Sequence, residues 1–338
     1  MEEYMGKGTE TRKLVKWGSS KTLIMSLPRN WTKKYNLNED NEVQVWENPD
    51  GSLLILPLQA GIENEQREAE IKTDQYEDAQ QLTFIVQTKF LDGNDIIRLK
   101  SREPFTEKKY REITEIVSYL IGFEILQKMP NEIVIKDIMA LKDSGLEELV
   151  RMVSNTVLEL MKTFIDAISP LNLSTIEAIK GSEDNIYKYY LRVHRQLRKA
   201  LIQPSLLTRM NITSQDAVDF AFFIVDLSKI AKNLVSMSQA VKKFQDDKHI
   251  EKTLEILRPT YENLKLAISA FLFRNTKEAL STLSKREEMK QLKRNIENEI
   301  DKLTAKEPTT ASQIILDNSE KIIEHQFSIS LSALRRAI

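Results

Sequence analysis

The 338-residue chain contains no cysteine, three histidines, nine glycines and nine prolines. The absence of cysteine excludes disulfides, thiolate zinc sites and cysteine nucleophiles. It also fits a cytoplasmic protein, as do the polar first ten residues, which lack the apolar segment of a secretory signal. The few glycines and prolines favour long helices. Because no run of about 18 apolar residues occurs, we expect no membrane insertion.

The sequence also lacks the common catalytic motifs. It contains no G-x-S-x-G, P-loop, G-x-G-x-x-G or H-E-x-x-H pattern, and none of its three histidines has a neighbouring nucleophile in the sequence. His194 is predicted to be structural. We therefore expect no enzymatic activity.

Two further groups of residues are predicted to have no ligand-binding role. The basic cluster of Arg192, Arg195, Arg198 and Lys199 is predicted to form a solvated helix face, with phosphate contact as the alternative. A set of aromatic residues is predicted to lie in the core rather than to form a ligand platform: Phe220, Phe222, Phe223, Phe271 and Phe273.

Positive charge is concentrated near the start of a chain that is otherwise balanced. The whole chain has 49 Lys and Arg against 50 Asp and Glu, whereas residues 7–34 hold eight Lys and Arg against one acid, Glu10. A basic module joined to a neutral body points to nucleic acid. The alternative is a basic edge strand that lysines keep soluble. The residues predicted to contact DNA are Arg12, Lys13, Lys16, Lys21 and Arg29.

The pattern over residues 12–57 predicts two strands, a short helix and a hairpin. Apolar and polar faces alternate over residues 23–26, which is typical of a strand. Pro28 suits a first helical turn, and Asp50-Gly51 is a strong hairpin turn signal. This segment is too short to bury a core alone.

Three runs in this segment resemble the swapped-hairpin DNA-binding domain of the AbrB/SpoVT family: residues 17–20, residues 26–31 and residues 36–43. The resemblance implies an intertwined homodimer formed through residues 12–57. Its two copies would share one β-barrel and present one basic face to double-stranded DNA.

Residues 61–140 predict a small α/β segment with the element order β-α-β-α-β-β, a sheet with helices on one face. Strands are predicted at 68–73, 96–99, 123–127 and 132–135, and helices at 76–91 and 106–120. The run 120–125 followed by 133–135 resembles the equivalent segment of archaeal PhoU-type regulators.

From Leu146 onward, apolar residues recur at three- and four-residue steps, which predicts a helix that ends before Pro170. Five more helices are predicted at 176–202, 214–244, 250–273, 276–303 and 309–337. Periodicity alone predicts only a helix bundle. A weak internal duplication at about 100 residues resembles the PhoU domain, which has two tandem three-helix bundles, here about 141–245 and 246–338.

The expected fold is therefore α+β at the N-terminus and all-α afterwards. It comprises an AbrB-like module over residues 1–60, the α/β segment over 61–140 and a PhoU-like six-helix domain over 141–338. This is the domain order of archaeal PhoU-type transcriptional regulators.

The PhoU resemblance also implies acidic pairs at i and i+4 on the second and third helices of each bundle, where they would surround a hard cation. The second half matches this pattern, so the resemblance implies a site for iron, manganese or magnesium there. Its ligands would be Glu297, Asp301, Glu320 and Glu324. The alternative for Glu297 and Asp301 is a solvated helix face.

The first half departs from the family pattern. Tyr187 stands where the family has an acid after Glu183, and Ser228 and Lys232 stand at the acidic positions of the third helix. The Lys232 ammonium would take the place of a cation and neutralise Glu183 or Asp184. Metal is therefore expected in the second half only.

The leading expectation is a homodimeric, DNA-binding transcriptional regulator of phosphate uptake that senses phosphate status through a metal or a partner protein. A second possibility is an accessory protein of a phosphate transporter ATPase or a sensor kinase, in which the basic module serves only for dimerisation. A third is a chromatin-associated architectural protein. Salt-dependent, sequence-selective binding to duplex DNA separates the first possibility from the second.

Overall fold

The computed structural model describes residues 10–19, 21–47, 51–58, 66–139, 145–242, 247–303 and 310–338. The chain forms two compact units, Met1–Gln66 and Arg67–Ile338. The predicted division at residue 140 is not a boundary between compact units, since the α/β segment and the helices belong to the same one. No helix in the described ranges is long and apolar enough to cross a bilayer.

The first unit contains the predicted strand, strand, helix and hairpin. Strand β1 (Val15–Lys16) pairs antiparallel with β2 (Leu23–Ile24), helix α1 covers Arg29–Lys34, and β3 (Val43–Glu47) pairs antiparallel with β4 (Leu53–Pro57). Gly51, in the β3–β4 turn, has a φ of +81°, which favours glycine. Ser20 and Asp50 lie outside the described residues.

The two strand pairs of the first unit form separate two-stranded sheets. The described residues of one chain therefore do not close a barrel. A barrel shared between two copies, as the AbrB/SpoVT resemblance implies, stays a prediction.

A four-stranded sheet opens the second unit and has the predicted order β-α-β-α-β-β. Its members are β5 (Glu68–Lys72), α2 (Ala79–Leu91), β6 (Ile96–Lys100), α3 (Glu107–Ser118), β7 (Phe123–Met129) and β8 (Glu132–Asp137). The strand order is β5-β6-β8-β7, with β5 and β6 parallel and the other pairs antiparallel. Asp78 and Thr106 cap α2 and α3 by accepting backbone N–H bonds. Leu82 and Phe90 of α2 lie in a core with Ile97 and Ile133.

Helices occupy the rest of the second unit. They are α4 (Leu146–Ile168), α5 (Leu173–Ile179), α6 (Ser182–Ile202), α7 (Pro204–Arg209), α8 (Ser214–Val241), α9 (Asp247–Phe273), α10 (Thr276–Ser284), α11 (Arg286–Leu303) and α12 (Thr310–Ala337). Two predicted helices were wrong as single elements, because 176–202 and 276–303 each break in two, at Gly181 and at Lys285. The predicted ends at 244 and 309 lie outside the described residues.

The two breaks occur at equivalent places, which supports the predicted duplication. Each half has a long helix, a short helix capped by an asparagine, a second long helix and a final helix of 28 residues. Asn172 caps α5 and Asn275 caps α10 through their side-chain oxygens. An asparagine cap starts a new helix at a defined residue, so the polypeptide turns at the same point in both halves.

One core joins the two halves. It contains Val153 of α4, Phe223 of α8, Phe271 of α9 and Ile322 of α12, all nearly inaccessible to solvent. The rings of Phe223 and Phe271 stack with centroids 3.9 Å apart. The prediction that Phe220, Phe223 and Phe271 are core residues is confirmed, whereas it was wrong for Phe222 and Phe273, which are exposed.

Candidate functional site

The residues predicted to contact DNA lie at the surface of the first unit. Lys16 lies in β1 opposite Leu23, Lys21 lies in the connection to β2, and Arg29 is the first residue of α1. Arg12 and Lys13 precede β1, and Arg12 forms an ion pair with Glu10. All five basic residues are exposed. The strand pairing thus brings Lys16 and Lys21 into one hairpin, and DNA contact by these residues stays a prediction.

The same unit leaves its apolar side chains uncovered. Pro57 is the one buried residue among those described in this unit. Trp17 is 63% exposed, Leu23 57% and Leu53 60%, although each lies in or beside a strand. Exposed apolar side chains grouped in this way are typical of an interaction surface.

The carboxylates predicted to bind a metal face a lysine. Lys293 of α11, which is only 8% exposed, places its Nζ 3.1 Å from Oε2 of Glu297 and 3.5 Å from Oε2 of Glu320. A third acid, Asp317, lies 3.5 Å from the same Nζ. Gln313 donates its amide to Glu297 at 2.8 Å and to Asp317 at 3.0 Å.

The other two predicted ligands do not join this group. Glu324 accepts from Nη2 of Arg286 at 2.6 Å and pairs with Nζ of Lys290 at 2.5 Å. Asp301 is an exposed residue near the end of α11. Within the described residues, no three Asp, Glu or His side chains are arranged to hold a metal ion.

The pKa shifts agree with these ion pairs. The hydrogen bond from Gln313, together with the Lys293 ammonium, lowers the pKa of Glu297. Burial opposes the charge on Lys293, but its hydrogen bond to Glu297 and the nearby acids outweigh that effect and raise its pKa. Lys293 therefore stays positive and Glu297 stays negative at neutral pH.

The first half differs from the family-based prediction. Lys232 is exposed and forms no ion pair with any described residue, so the prediction that it neutralises Glu183 or Asp184 was wrong. Tyr187 donates its hydroxyl to Oε1 of Gln87 at 3.1 Å and stacks on Tyr190.

The acidic pairs of the two halves are also not equivalent along their helices. Glu297 lies eleven residues after the start of α11, at Arg286, whereas Glu183 lies one residue after the start of α6, at Ser182.

The ion pair between Lys293 and Glu297 could have been anticipated from the sequence, because lysine and glutamate at i and i+4 commonly pair on a helix.

A second charged cluster was missed by sequence reasoning. Arg192, Arg195 and Lys199 of α6 are buried, so their prediction as a solvated face was wrong. Their three positive charges meet two carboxylates of the α/β segment, Asp95 and Asp137. The spacing of 3 and 4 residues places all three basic side chains on one helical face, which is the face directed to α2 and to Asp95 and Asp137.

Arg195 occupies the centre of this cluster. Its Nη2 atom donates to Oδ1 of Asp95 and to Oδ2 of Asp137, both at 3.0 Å. Its Nη1 atom donates to the carbonyl of Phe90 at 2.7 Å, and its guanidinium lies against the rings of Phe90 and Phe123. Arg198, the fourth basic residue, is exposed and pairs with Asp92.

The comparisons with known proteins give one match. No protein-family model matches the chain, and no curated protein matches it. The structure is similar to the crystal structure of the phosphate transport system regulatory protein PhoU from Streptococcus pneumoniae, with a TM-score of 0.43 and 16% sequence identity. The similarity covers 57% of this chain and 89% of that chain.

Proposed function

We propose that this protein is a PhoU-type regulator of phosphate uptake. The observation that carries the proposal is the duplicated helical architecture of residues 145–338. It accompanies sequence runs that resemble archaeal PhoU-type regulators. The lack of catalytic motifs in the sequence agrees with a regulatory role.

The last helices of the two halves, α8 and α12, form the joint between the repeats. Arg336 donates a hydrogen bond to Asp216 at 3.0 Å, and Asn318 donates one to Ser236 at 3.3 Å. Nδ1 of His325 lies 2.9 Å from Oδ1 of Asp226. Residue numbers fall along α12 as they rise along α8, so the two helices run antiparallel. These contacts, together with the shared core, hold both halves in one body.

We further propose that this PhoU-type regulator acts on transcription by binding DNA through the first unit. Its exposed basic residues are distributed over a hairpin and a helix start, and phosphate groups are recognised by this kind of charged surface. Its exposed apolar strands would be covered by a second copy, which makes the binding unit a homodimer.

A second candidate is an accessory role, in which the protein contacts a phosphate transporter ATPase or a sensor kinase. The observation that favours it is a groove of about 790 Å³ between α8 and α12. Its lining includes Val218, Phe222, Leu331 and Ile338. Phe222 is 54% exposed there.

The test compares three forms of the full-length protein. In one, Arg12, Lys13, Lys16 and Lys21 are replaced by alanine; in a matched control, the exposed lysines Lys180, Lys229, Lys232 and Lys277 of the second unit are replaced by alanine. Fragments of genomic DNA that co-purify with each protein are sequenced.

We expect the wild type and the control to recover the same sequences and the first variant to recover none. If all three recover DNA equally, or none does, the transcriptional role is wrong. Co-purification of a transporter ATPase or a sensor kinase with both variants would then support the accessory role.

A further inference from the structure

The acidic surface between α11 and α12 already contains its own cation. Nζ of Lys293 lies between Glu297 on its own helix and Asp317 and Glu320 on α12, at 3.1 to 3.5 Å. Lys293 is buried, whereas the three acids are partly exposed. Lys293 is therefore the most deeply buried of the four residues.

The distances in this group suit an ammonium and do not suit a metal. The ammonium donates a hydrogen bond to Glu297 at 3.1 Å and forms ion pairs with Asp317 and Glu320 at 3.5 Å. Mg²⁺ and related hard cations require oxygen ligands at about 2.1 Å. Gln313 adds a neutral N–H donor to the group, since its amide donates to Oε1 of Glu297 and to Oδ1 of Asp317, the same Asp317 oxygen that faces Lys293.

The neighbouring acid is satisfied in the same way. Glu324, one turn beyond Glu320, is paired with Arg286 at 2.6 Å and with Lys290 at 2.5 Å. Arg286, Lys290 and Lys293 lie at i, i+4 and i+7, so they form one basic face of α11 that meets the acidic face of α12. The residues that the PhoU resemblance assigns to a metal thus do not fit one here.

We infer that the Lys293 ammonium replaces the divalent cation of a metal-binding surface, so that the acids between α11 and α12 are neutralised by a side chain of the protein itself. A divalent cation at the same place would stand within a few ångströms of a like charge, which opposes its binding. This inference does not depend on whether the protein acts through DNA or through a protein partner.

The test measures Mn²⁺ binding to the full-length protein by the loss of the electron paramagnetic resonance signal of free Mn²⁺. Lys293→Ala is compared with the wild type, with Lys293→Ala/Glu320→Gln and with Lys252→Ala. Lys252 is the matched control because its Nζ also joins two acids, Glu255 at 2.8 Å and Glu299 at 2.6 Å, but no third one.

We expect no detectable Mn²⁺ binding at this place by the wild type or by Lys252→Ala. Lys293→Ala should bind about one Mn²⁺, with an affinity at least about tenfold above the detection limit that the wild type sets, because a like charge has been removed. Restoring weak binding with Glu320→Gln would show that the new site is this one. Lys293→Met, which keeps the length of the side chain without its charge, serves if Lys293→Ala unfolds.

Two results would overturn the inference. The first is Mn²⁺ binding by the wild type that Glu297→Gln abolishes, since a metal would then share the site with Lys293. The second is a folded Lys293→Ala and a folded Lys293→Met that both fail to bind Mn²⁺, since the three acids would then not form a cation site at all.

Discussion

Nη2 of Arg195 lies 3.0 Å from Oδ2 of Asp137, and both side chains are almost completely excluded from solvent. The two residues are 58 positions apart and belong to helix α6 and to the last strand of the sheet. Asp137 also accepts from Nη1 of Arg192, whose Nε and Nη2 atoms have no hydrogen-bond partner among the described residues. This carboxylate is therefore the main counter-charge for two buried guanidinium groups and fixes the helical repeats to the α/β segment.

Replacing Asp137 with asparagine should destabilise the second unit strongly. The substitution keeps the shape of the side chain but leaves Arg192 without a carboxylate in a buried site, which typically costs about 3–5 kcal/mol. The measurement is the free energy of unfolding in urea.

Asp92→Asn is the matched control for Asp137→Asn. Asp92 pairs with Arg198 at 2.8 Å, but that pair is exposed, so its loss should cost less than about 1 kcal/mol. Equal effects of the two substitutions would mean that the Asp137 cluster does not hold the α/β segment to the helices.

The first unit should assemble only as a dimer. Leu23 and Val45 are more than half exposed on their strands, and no core in the described part of that unit covers them. We expect Leu23→Asp/Val45→Asp to convert the full-length protein from a dimer to a monomer, because the buried contact would then enclose two charges. Sedimentation velocity at micromolar concentration measures the change.

Phe84→Asp provides the comparison for the dimer variant. Phe84 is 57% exposed on α2, in the second unit, so its substitution should leave the sedimentation coefficient unchanged. A wild-type protein that sediments as a monomer would contradict the dimer, and with it the barrel that the AbrB/SpoVT resemblance implies.

Single lysines of the hairpin should contribute to DNA affinity by neutralising phosphates. Each neutralised phosphate gives about −0.9 in the slope of log K against log salt. We therefore expect Lys21→Ala to make that slope less steep by about one and to weaken binding to all sequences alike. Lys180→Ala, an exposed lysine of the second unit, should leave the slope unchanged. A slope that Lys21→Ala does not alter would place the phosphate contacts elsewhere.

The sequence predicted local structure far better than it predicted which charges meet. The order of strands and helices over residues 68–137 follows from alternation and helical spacing, because both are properties of neighbouring residues. The break at Lys285 carries no glycine or proline, and only the asparagine cap ten residues earlier hints at a second short helix.

The charged residues were misjudged for a related reason. Arg195 and Asp137 are 58 positions apart and meet only in the folded second unit. The sequence pattern of a charged helix face is the same whether that face lies in water or against two buried carboxylates. The PhoU resemblance likewise assigned Glu297 and Asp301 as ligands, whereas Lys293, at i−4 from Glu297, forms an ion pair with Glu297.

His194 should make the protein less stable in acid. Burial, together with the charge of Arg198, lowers its pKa from 6.5 to about 4, so it is neutral in the folded protein at pH 7. As the pH falls, His194 takes up a proton near pH 6.5 in the unfolded chain but only near pH 4 in the folded protein. The contribution of His194 to the free energy of unfolding is therefore fully present above pH 6.5 and is lost progressively as the pH falls towards 4.

The expected loss from this residue is about 3 kcal/mol between pH 7 and pH 4, since one pKa unit corresponds to about 1.4 kcal/mol. Carboxylates titrate over the same range, so the effect is isolated by comparing the wild type with His194→Gln in urea unfolding at several pH values. We expect the difference between the two proteins to shift in favour of the variant as the pH falls below 6.5. A difference that stays constant from pH 7 to pH 4 would show that His194 titrates alike in both states.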